Sequence, residues 1–173
     1  MDGDKELLLI TAASGKQSSH LIPHILNQRK HIRLQVASSS SKDRLQKLYA
    51  DHENVEVVQA DMASQTDCHR MMAGVTTCFL ITPGFHPKET SCGINMIDAA
   101  LAQPPTHQLQ HLLYSSVLHP HLRRLPNHDA KRYVEEHLIE SGLSYTIAQP
   151  TTTMGNLPLP HFLQQSSPIY PAL

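Results

Sequence analysis

The stretch ITAASGKQSSH, Ile10 to His20, is the most informative about the fold because it joins an apolar strand to a segment with a helical pattern. Folds that bind dinucleotides place Gly-x-Gly-x-x-Gly or Gly-x-x-Gly-x-x-Gly at such a junction, where main-chain amides at the start of the helix attract phosphate. Only Gly15 remains here, and Ala12 and Ser18 stand where flanking glycines are expected. Amides come from any residue type, so the stretch predicts a weakened phosphate-binding turn. The alternative is a capped loop, with Ser14 or Ser18 as the cap of the helix.

Strand and helix patterns alternate along almost the whole chain. Most of the apolar runs are too continuous for half-exposed antiparallel strands, and helical patterns separate them. This alternation predicts an α/β fold, a doubly wound parallel sheet of about six strands with helices on both faces. The predicted strands are Glu6–Thr11, Ile32–Ala37, Val55–Gln59, Thr77–Thr82, Leu109–Ser115 and Tyr145–Gln149. The predicted helices are Ser18–Gln28, Lys42–Asp51, Asp67–Met72, Lys88–Gln103 and Asn127–Ser141.

The last predicted helix has the clearest signals. Asn127 is a candidate cap, a buried stripe is expected at Ala130, Val134 and Leu138, and Gly142 supplies a left-handed stop. Residues 1–156 therefore form one predicted domain. Four prolines break residues 157–173, which we assign to an irregular tail.

Composition excludes several function classes. The chain has 173 residues, 40% of them hydrophobic, and a formal charge of −1, which does not suggest a surface for nucleic acid. No apolar run is long enough to cross a bilayer, and the acidic N-terminus does not resemble a secretory signal. Three cysteines without a Cys-x-x-Cys spacing indicate reduced thiols and a cytoplasmic protein.

The histidines are numerous enough to suggest a metal site, but the residues around them do not support one. There are 13 of them, and His119, His121 and His128 lie close together in sequence. No cysteine or carboxylate stands at a ligand-like spacing with them, so no metal is predicted.

The second predicted strand indicates which nicotinamide cofactor is expected. An NAD site favours an acidic residue near the end of this strand, and none stands there. The serines from Ser38 to Ser41, followed by Lys42 and Arg44, can instead receive a 2′-phosphate, which favours NADP(H) over NAD(H). The alternative is a flexible serine loop with two solvated cations.

Several stretches in order resemble the NmrA-like family of atypical short-chain dehydrogenases. They are ITAASGKQ, VEVVQADM, GVTTCFLITPG, GINMIDAA, HLLYSSVLHP and DAKRYVEEHLIESGLSYTIAQP, which together span Glu6 to Pro150. The resemblance implies an NAD(P)-binding Rossmann domain. Family members include quinone, enone and phenylpropanoid reductases, redox-sensing regulators and enzymes of secondary metabolism.

The resemblance also implies roles for individual residues. The turn after the first strand would hold the pyrophosphate, Asp61 and Met62 would flank the adenine, and Lys131 would be the family's lysine. Ser115 and Ser116 would stand at the active-site end of the fifth strand, and residues 82–84 near the nicotinamide-side ribose. The full set of cofactor candidates is Thr11, Ala13, Ser14, Gly15, Lys16, Gln17, Ser38, Lys42, Asp61, Met62, Thr82, Pro83 and Gly84.

Three departures from the family pattern bear on chemistry. Ala37 stands where members that bind NADP usually carry Arg at the end of the second strand. Related dehydrogenases use Tyr-x-x-x-Lys, and the residue four before Lys131 is Asn127, which cannot exchange a proton in the same way. His128 is the nearby titrating candidate, with an exposed surface histidine as the alternative. Family members also continue into a substrate lobe, which we expect to be truncated here, so that a partner subunit or the tail would close the pocket.

Three functions follow as hypotheses. The first is an NADPH-dependent reductase of a small carbonyl, enone or quinone-type metabolite, in which Lys131 orients the ribose, Ser115 or Ser116 polarises the substrate oxygen, and solvent or His128 supplies a proton. The second is a non-catalytic redox sensor that binds dinucleotide and a regulatory protein. The third is a non-redox isomerase, dehydratase or cyclase. The missing tyrosine and the missing lobe favour the sensor, whereas the retained serines and lysine favour an enzyme. An exposed sheet edge is compatible with a homo-oligomer.

Overall fold

The computed structural model describes residues 6–29 and 31–151 of the chain. The predicted tail at residues 157–173 lies outside them. The strands are β1 Leu7–Ile10, β2 His31–Val36, β3 Val55–Gln59, β4 Thr77–Ile81, β5 His111–Ser115 and β6 Tyr145–Ala148. The helices are α1 Lys16–Ile25, α2 Ser39–Leu48, α3 Gln65–Met72, α4 Glu89–Leu101 and α5 Pro126–Glu140, with a short 3-10 helix at Pro105–His107.

The sheet confirms the predicted doubly wound α/β fold. All neighbouring strands are parallel and follow the order β3-β2-β1-β4-β5-β6. The order reverses between β1 and β4, so the loops that follow these two strands separate at the carboxyl edge of the sheet. That edge is where open α/β sheets bind ligands.

Helices cover the two faces of the sheet with separate apolar cores. On one face α3, α4 and α5 pack through residues such as Met71, Met96 and Leu138. On the other face α1 and α2 pack through residues such as Ile22 and Leu45. Strands buried on both faces explain why the apolar runs of the sequence are continuous.

Helices α4 and α5 pack closely together at Gly93. A Cβ atom built at Gly93 would lie 2.5 and 2.6 Å from the two γ-carbons of Val134, which is fully buried. Real Cβ atoms do not approach carbon so closely, so the space for a side chain at this position is already filled by Val134.

Helix starts are where the structure corrects the sequence prediction. Helix α2 begins at Ser39, three residues earlier than predicted, and the Ser38 hydroxyl accepts a hydrogen bond from the Ser41 amide at 3.3 Å. The serine run is therefore a helix cap and first turn, not a flexible loop. Helix α1 begins at Lys16 and is capped by Gly15, without Ser14 or Ser18.

The predicted cap of α5 was also wrong, although its end was predicted well. The cap is Leu125, and Pro126 occupies the first helical position, for which its fixed φ is well suited. Asn127 lies inside the helix. At the other end Gly142 has a φ of 75°, which confirms the left-handed stop.

The three cysteines are free and buried. Burial raises the pKa of Cys68 and Cys78 to about 12 and that of Cys92 to about 11. Since only the thiolate reacts, we expect no thiol to react with an aromatic disulfide reagent in the folded protein up to about pH 9. All three should react after unfolding in urea, and rapid labelling of one thiol in the native protein would contradict the burial.

Within residues 6–29 and 31–151, no helix is long and apolar enough to cross a membrane. In the same part of the chain, no group of three or more His, Cys, Asp or Glu side chains is arranged to hold a metal ion.

Candidate functional site

A cleft of about 1120 Å³ opens at the carboxyl edge of the sheet, at the reversal point between β1 and β4. Its wall is formed by the loops after β1, β4 and β5 and by the first turns of α5. The cleft is lined by residues 15–18, 81–85 and 115–119, together with Ala12, Leu125, Asn127, His128, Lys131, Pro150 and Thr151.

The turn after β1 is tight although it keeps one glycine. Ala12 adopts a φ of 46°, and the Gly15 amide donates to the Ala12 carbonyl at 2.8 Å. A Cβ at Gly15 would lie 3.1 Å from that carbonyl oxygen, so glycine fits here better than any larger residue. The buried Ser18 hydroxyl donates to the Thr11 carbonyl at 3.2 Å, which lets the helix approach the strand.

Gln35 on β2 supports this turn and was not found by sequence reasoning. Its side-chain oxygen accepts from the Ala12 amide at 2.8 Å, and its side-chain nitrogen donates to the Ala60 carbonyl at 2.7 Å. Its exposed fraction is only 2%. The available signal was a lone amide side chain inside the apolar run IRLQVA.

The Thr11 side chain links two strands of the sheet and does not line the cleft. Its hydroxyl accepts from the Ile81 amide at 2.7 Å and donates to the Ile81 carbonyl at 2.8 Å. It is fully buried and does not line the cleft.

Lys131 brings a positive charge to the cleft from α5. Its ammonium nitrogen lies 2.7 Å from a carboxylate oxygen of Glu89 and donates to the Thr82 hydroxyl at 3.0 Å. The Thr82 hydroxyl in turn donates to Glu89 at 2.9 Å. An ammonium has three donors, and these two contacts use two of them. The third can reach a ligand in the cleft, which Lys131 lines.

The two candidate serines at the end of β5 have different surroundings. The Ser115 hydroxyl donates to the side-chain oxygen of Gln17 at 2.8 Å. The buried Ser116 hydroxyl has no hydrogen-bond partner among the described residues, although Ser116 lines the cleft. A buried hydroxyl without a partner is uncommon, and here it marks a position that a polar ligand atom can satisfy.

No tyrosine takes the place of the missing phenol in the described cleft. The Lys131 ammonium lies 5.7 Å from the centroid of the Tyr114 ring. The Tyr114 side chain is fully buried, and this burial raises the pKa of its phenol far above the usual range. Tyr133 is half exposed, contacts Arg132 and does not line the cleft. His128 does line it, half-buried, with Nδ1 at 3.2 Å from the His119 carbonyl oxygen.

A model of the NmrA-like family matches residues 4–168. The chain belongs to the NmrA-like family. No curated protein sequence matches it significantly.

Solved structures share the NmrA-like fold. An NADPH-dependent quinone oxidoreductase from Escherichia coli, complexed with NADPH, is 24% identical with a TM-score of 0.68; the match covers 82% of this chain and 48% of that one. Triphenylmethane reductase from Citrobacter sp., complexed with NADP(H), is 17% identical with a TM-score of 0.71, covering 85% and 50% of the two chains. A mutant form of NmrA is 24% identical with a TM-score of 0.68, covering 83% and 44%. The chain thus spans about half the length of these proteins.

The structure brings together most of the predicted site residues of this NmrA-like chain. Those that line the cleft are Gly15, Lys16, Gln17, Thr82, Pro83, Gly84, Ser115, Ser116, His128 and Lys131. Those outside its lining are Thr11, Ala13, Ser14, Ser38, Lys42, Asp61 and Met62. Among the latter, Met62 is buried in the core, and an Asp61 carboxylate oxygen accepts from the Ala63 amide at 2.8 Å. Cofactor contacts by this second group stay predictions.

Replacing Ala12 by glycine should stabilise the NmrA-like domain. A left-handed backbone costs a residue with a side chain about 1–2 kcal/mol, and glycine removes this cost while it adds freedom to the unfolded chain. We therefore expect Ala12→Gly to raise the free energy of unfolding in urea by about 1 kcal/mol. The control is Ala13→Gly, at a fully buried position without positive φ, which should lower it. Equal effects of the two changes would contradict the strained geometry.

Proposed function

We propose that the cleft binds NADP(H) and that the chain belongs to an NADPH-dependent reductase acting on a small carbonyl, enone or quinone-type metabolite. The observation that carries the proposal is that the Lys131 ammonium, fixed by Glu89 and Thr82, and the unpartnered Ser116 hydroxyl line the same cleft. Two of the structural neighbours, the quinone oxidoreductase and triphenylmethane reductase, are complexes with NADPH or NADP(H), which supports the choice of cofactor.

The residues of the cleft fit a dinucleotide. Helix α1 begins directly after the tight turn at Gly15 and has no side-chain cap, and main-chain amides at such a helix start attract phosphate. Lys16 and Lys131 line the cleft, and no carboxylate does so in the part of the chain that the structure describes. Ser38 and Lys42, at the start of α2, are the candidates for a 2′-phosphate.

Each cleft residue has a distinct role in the proposal. When bound, the nicotinamide would supply a hydride. Lys131 would hold the ribose hydroxyls through its remaining donor, and Ser116 would donate a hydrogen bond to the substrate oxygen. Ser115 would position Gln17, because its own proton is already donated to that side chain. His128 would deliver a proton from the α5 side of the cleft.

The second candidate is a redox sensor that binds dinucleotide without turnover. It is favoured by the surroundings of the two tyrosines nearest to Lys131: Tyr114 is buried with a raised pKa, and Tyr133 lies outside the cleft. Such a sensor would report the bound cofactor to a regulatory protein. The cytoplasmic location and the homo-oligomer expected from the sequence stay predictions.

Calorimetric titration with NADPH and NADH, followed by assays on quinones and enones, tests the proposal. We expect saturable binding with NADPH bound more tightly, and hydride transfer that falls about a hundredfold in Ser116→Ala. Ser115→Ala is the matched control and should lose less turnover. Binding without turnover would favour the sensor, and failure to bind either nucleotide would overturn both functions.

A further inference from the structure

Glu89, the first residue of α4, has a buried carboxylate whose two oxygens accept hydrogen bonds from different parts of the site. Its side chain is 1% exposed. The Oε1 atom accepts from the Lys131 ammonium and from the Thr82 hydroxyl. The Oε2 atom accepts from the main-chain amide of Phe85 at 3.1 Å. One side chain thus connects the lysine of the cleft to the loop after β4.

Phe85 is an unusual residue at the tip of that loop. Its backbone φ is 61°, which is rare for a bulky residue, and its exposed fraction is 85% although it lines the cleft. Such strain persists only where neighbouring contacts hold it, and strained residues cluster at ligand sites. The amide of Phe85 is held by Glu89, while the neighbouring turn is closed by the His86 amide, which donates to the Pro83 carbonyl at 3.2 Å.

We propose that Glu89 is a positioning residue that fixes both Lys131 and the Phe85 tip, and that the Phe85 ring is an apolar contact for the substrate at the mouth of the cleft. The contact with substrate rests on the proposed function, whereas the coupling through Glu89 does not. A carboxylate is needed because one of its oxygens must accept from Lys131 and Thr82 and the other from the Phe85 amide. A glutamine has one acceptor oxygen and can serve only one of the two tasks.

The coupling can be measured without any ligand, by hydrogen exchange of the Phe85 amide. In the unmodified protein this amide should be protected. In Glu89→Gln the single acceptor oxygen should stay with the charged Lys131 ammonium, which leaves the Phe85 amide without an acceptor, so its exchange should speed up by about tenfold or more. The matched control is Glu135→Gln. Glu135 is also a buried carboxylate, is four residues after Lys131, and accepts from Gln149 at 3.0 and 3.1 Å. It should leave Phe85 exchange unchanged.

The substrate contact is tested with a naphthoquinone as probe and NADPH as donor. Asparagine tolerates positive φ, so Phe85→Asn removes the apolar ring with the least backbone change. We expect it to raise the KM for the quinone several-fold with little change in kcat, whereas Glu89→Gln should lower kcat as well.

The outcomes separate this inference from the proposed function. An unprotected Phe85 amide in the unmodified protein overturns the coupling, even if Glu89→Gln fails to fold. Equal exchange in Glu89→Gln and Glu135→Gln does the same. A KM that is unchanged in Phe85→Asn overturns the substrate contact. Absence of NADPH binding overturns the proposed function and, with it, the substrate contact of Phe85. It leaves the coupling through Glu89 standing, since the exchange experiment uses no ligand.

Discussion

Lys131→Met is expected to lower the free energy of unfolding by about 3–5 kcal/mol, because it leaves the Glu89 carboxylate buried without its positive partner. Methionine is close to lysine in length and has no charge, so the lost charge dominates the effect. Urea unfolding of the two proteins measures the difference. Lys47→Met, at an exposed position on α2, is the control and should change stability by less than about 0.5 kcal/mol.

The double variant Lys131→Met with Glu89→Gln should recover most of that stability. Glutamine removes the unpaired charge and retains hydrogen-bonding groups for Thr82 or Phe85. A double-mutant cycle then gives the coupling between the two residues. If Lys131→Met changes the free energy of unfolding as little as Lys47→Met does, the ion pair of Lys131 and Glu89 does not stabilise the fold.

This effect changes how an activity test of Lys131 must be read. A strong loss of turnover in a single variant can come from partial unfolding instead of a missing contact with the cofactor. The double variant, compared with Glu89→Gln alone, separates the two causes, because it restores folding without restoring the ammonium. Turnover that recovers together with stability would remove Lys131 from the proposed mechanism.

Gly93→Ala is expected to lower the free energy of unfolding by about 2 kcal/mol. The new Cβ would lie 2.5 Å from a γ-carbon of Val134, whose branched side chain is stiff in a helix. Overpacking of this kind costs about 1–3 kcal/mol, and the better helix propensity of alanine offsets part of it. Thermal and urea unfolding measure the change.

The control for this prediction is Gly84→Ala, where a new Cβ would meet no atom within 4 Å and the backbone φ is not positive. It should be nearly neutral for stability. The double variant Gly93→Ala with Val134→Ala should lose less stability than the sum of the two single changes, because the smaller residue makes room for the new methyl group. If the two single changes instead add exactly, Gly93→Ala does not lose stability through its contact with Val134.

The sequence predicted the strands better than the caps. Strand positions follow from apolar runs that must be buried on both faces, so Val55–Gln59 was predicted to the residue. The start of a helix is harder to predict, because several neighbouring residues can occupy the cap position. At α5 the cap is Leu125 and Pro126 takes the first helical position, so Asn127 lies inside the helix. At α2 the cap is Ser38 and the helix begins at Ser39, three residues before the predicted start.

The site was predicted in part, and the missing part has a common cause. Lys131 and the serines at the end of β5, which line the cleft, were singled out because they stand in recognisable stretches. Glu89 and Gln35 were missed because their roles depend on partners far away in sequence: Glu89 is bound to Lys131 and Gln35 to Ala12. For Gln35 the available signal was a polar side chain within an apolar run, whereas Glu89 stands in the polar stretch HPKETS and has no such signal.

The double hydrogen bond of Thr11 limits how the cleft can open. One hydroxyl binds both main-chain groups of Ile81, and so joins the carboxyl ends of β1 and β4 at the reversal point of the sheet. Splaying the two half-sheets like a hinge would break both bonds in a buried place, where nothing replaces them. We therefore expect the floor of the cleft to be rigid, so that widening on ligand entry comes from the loops above it.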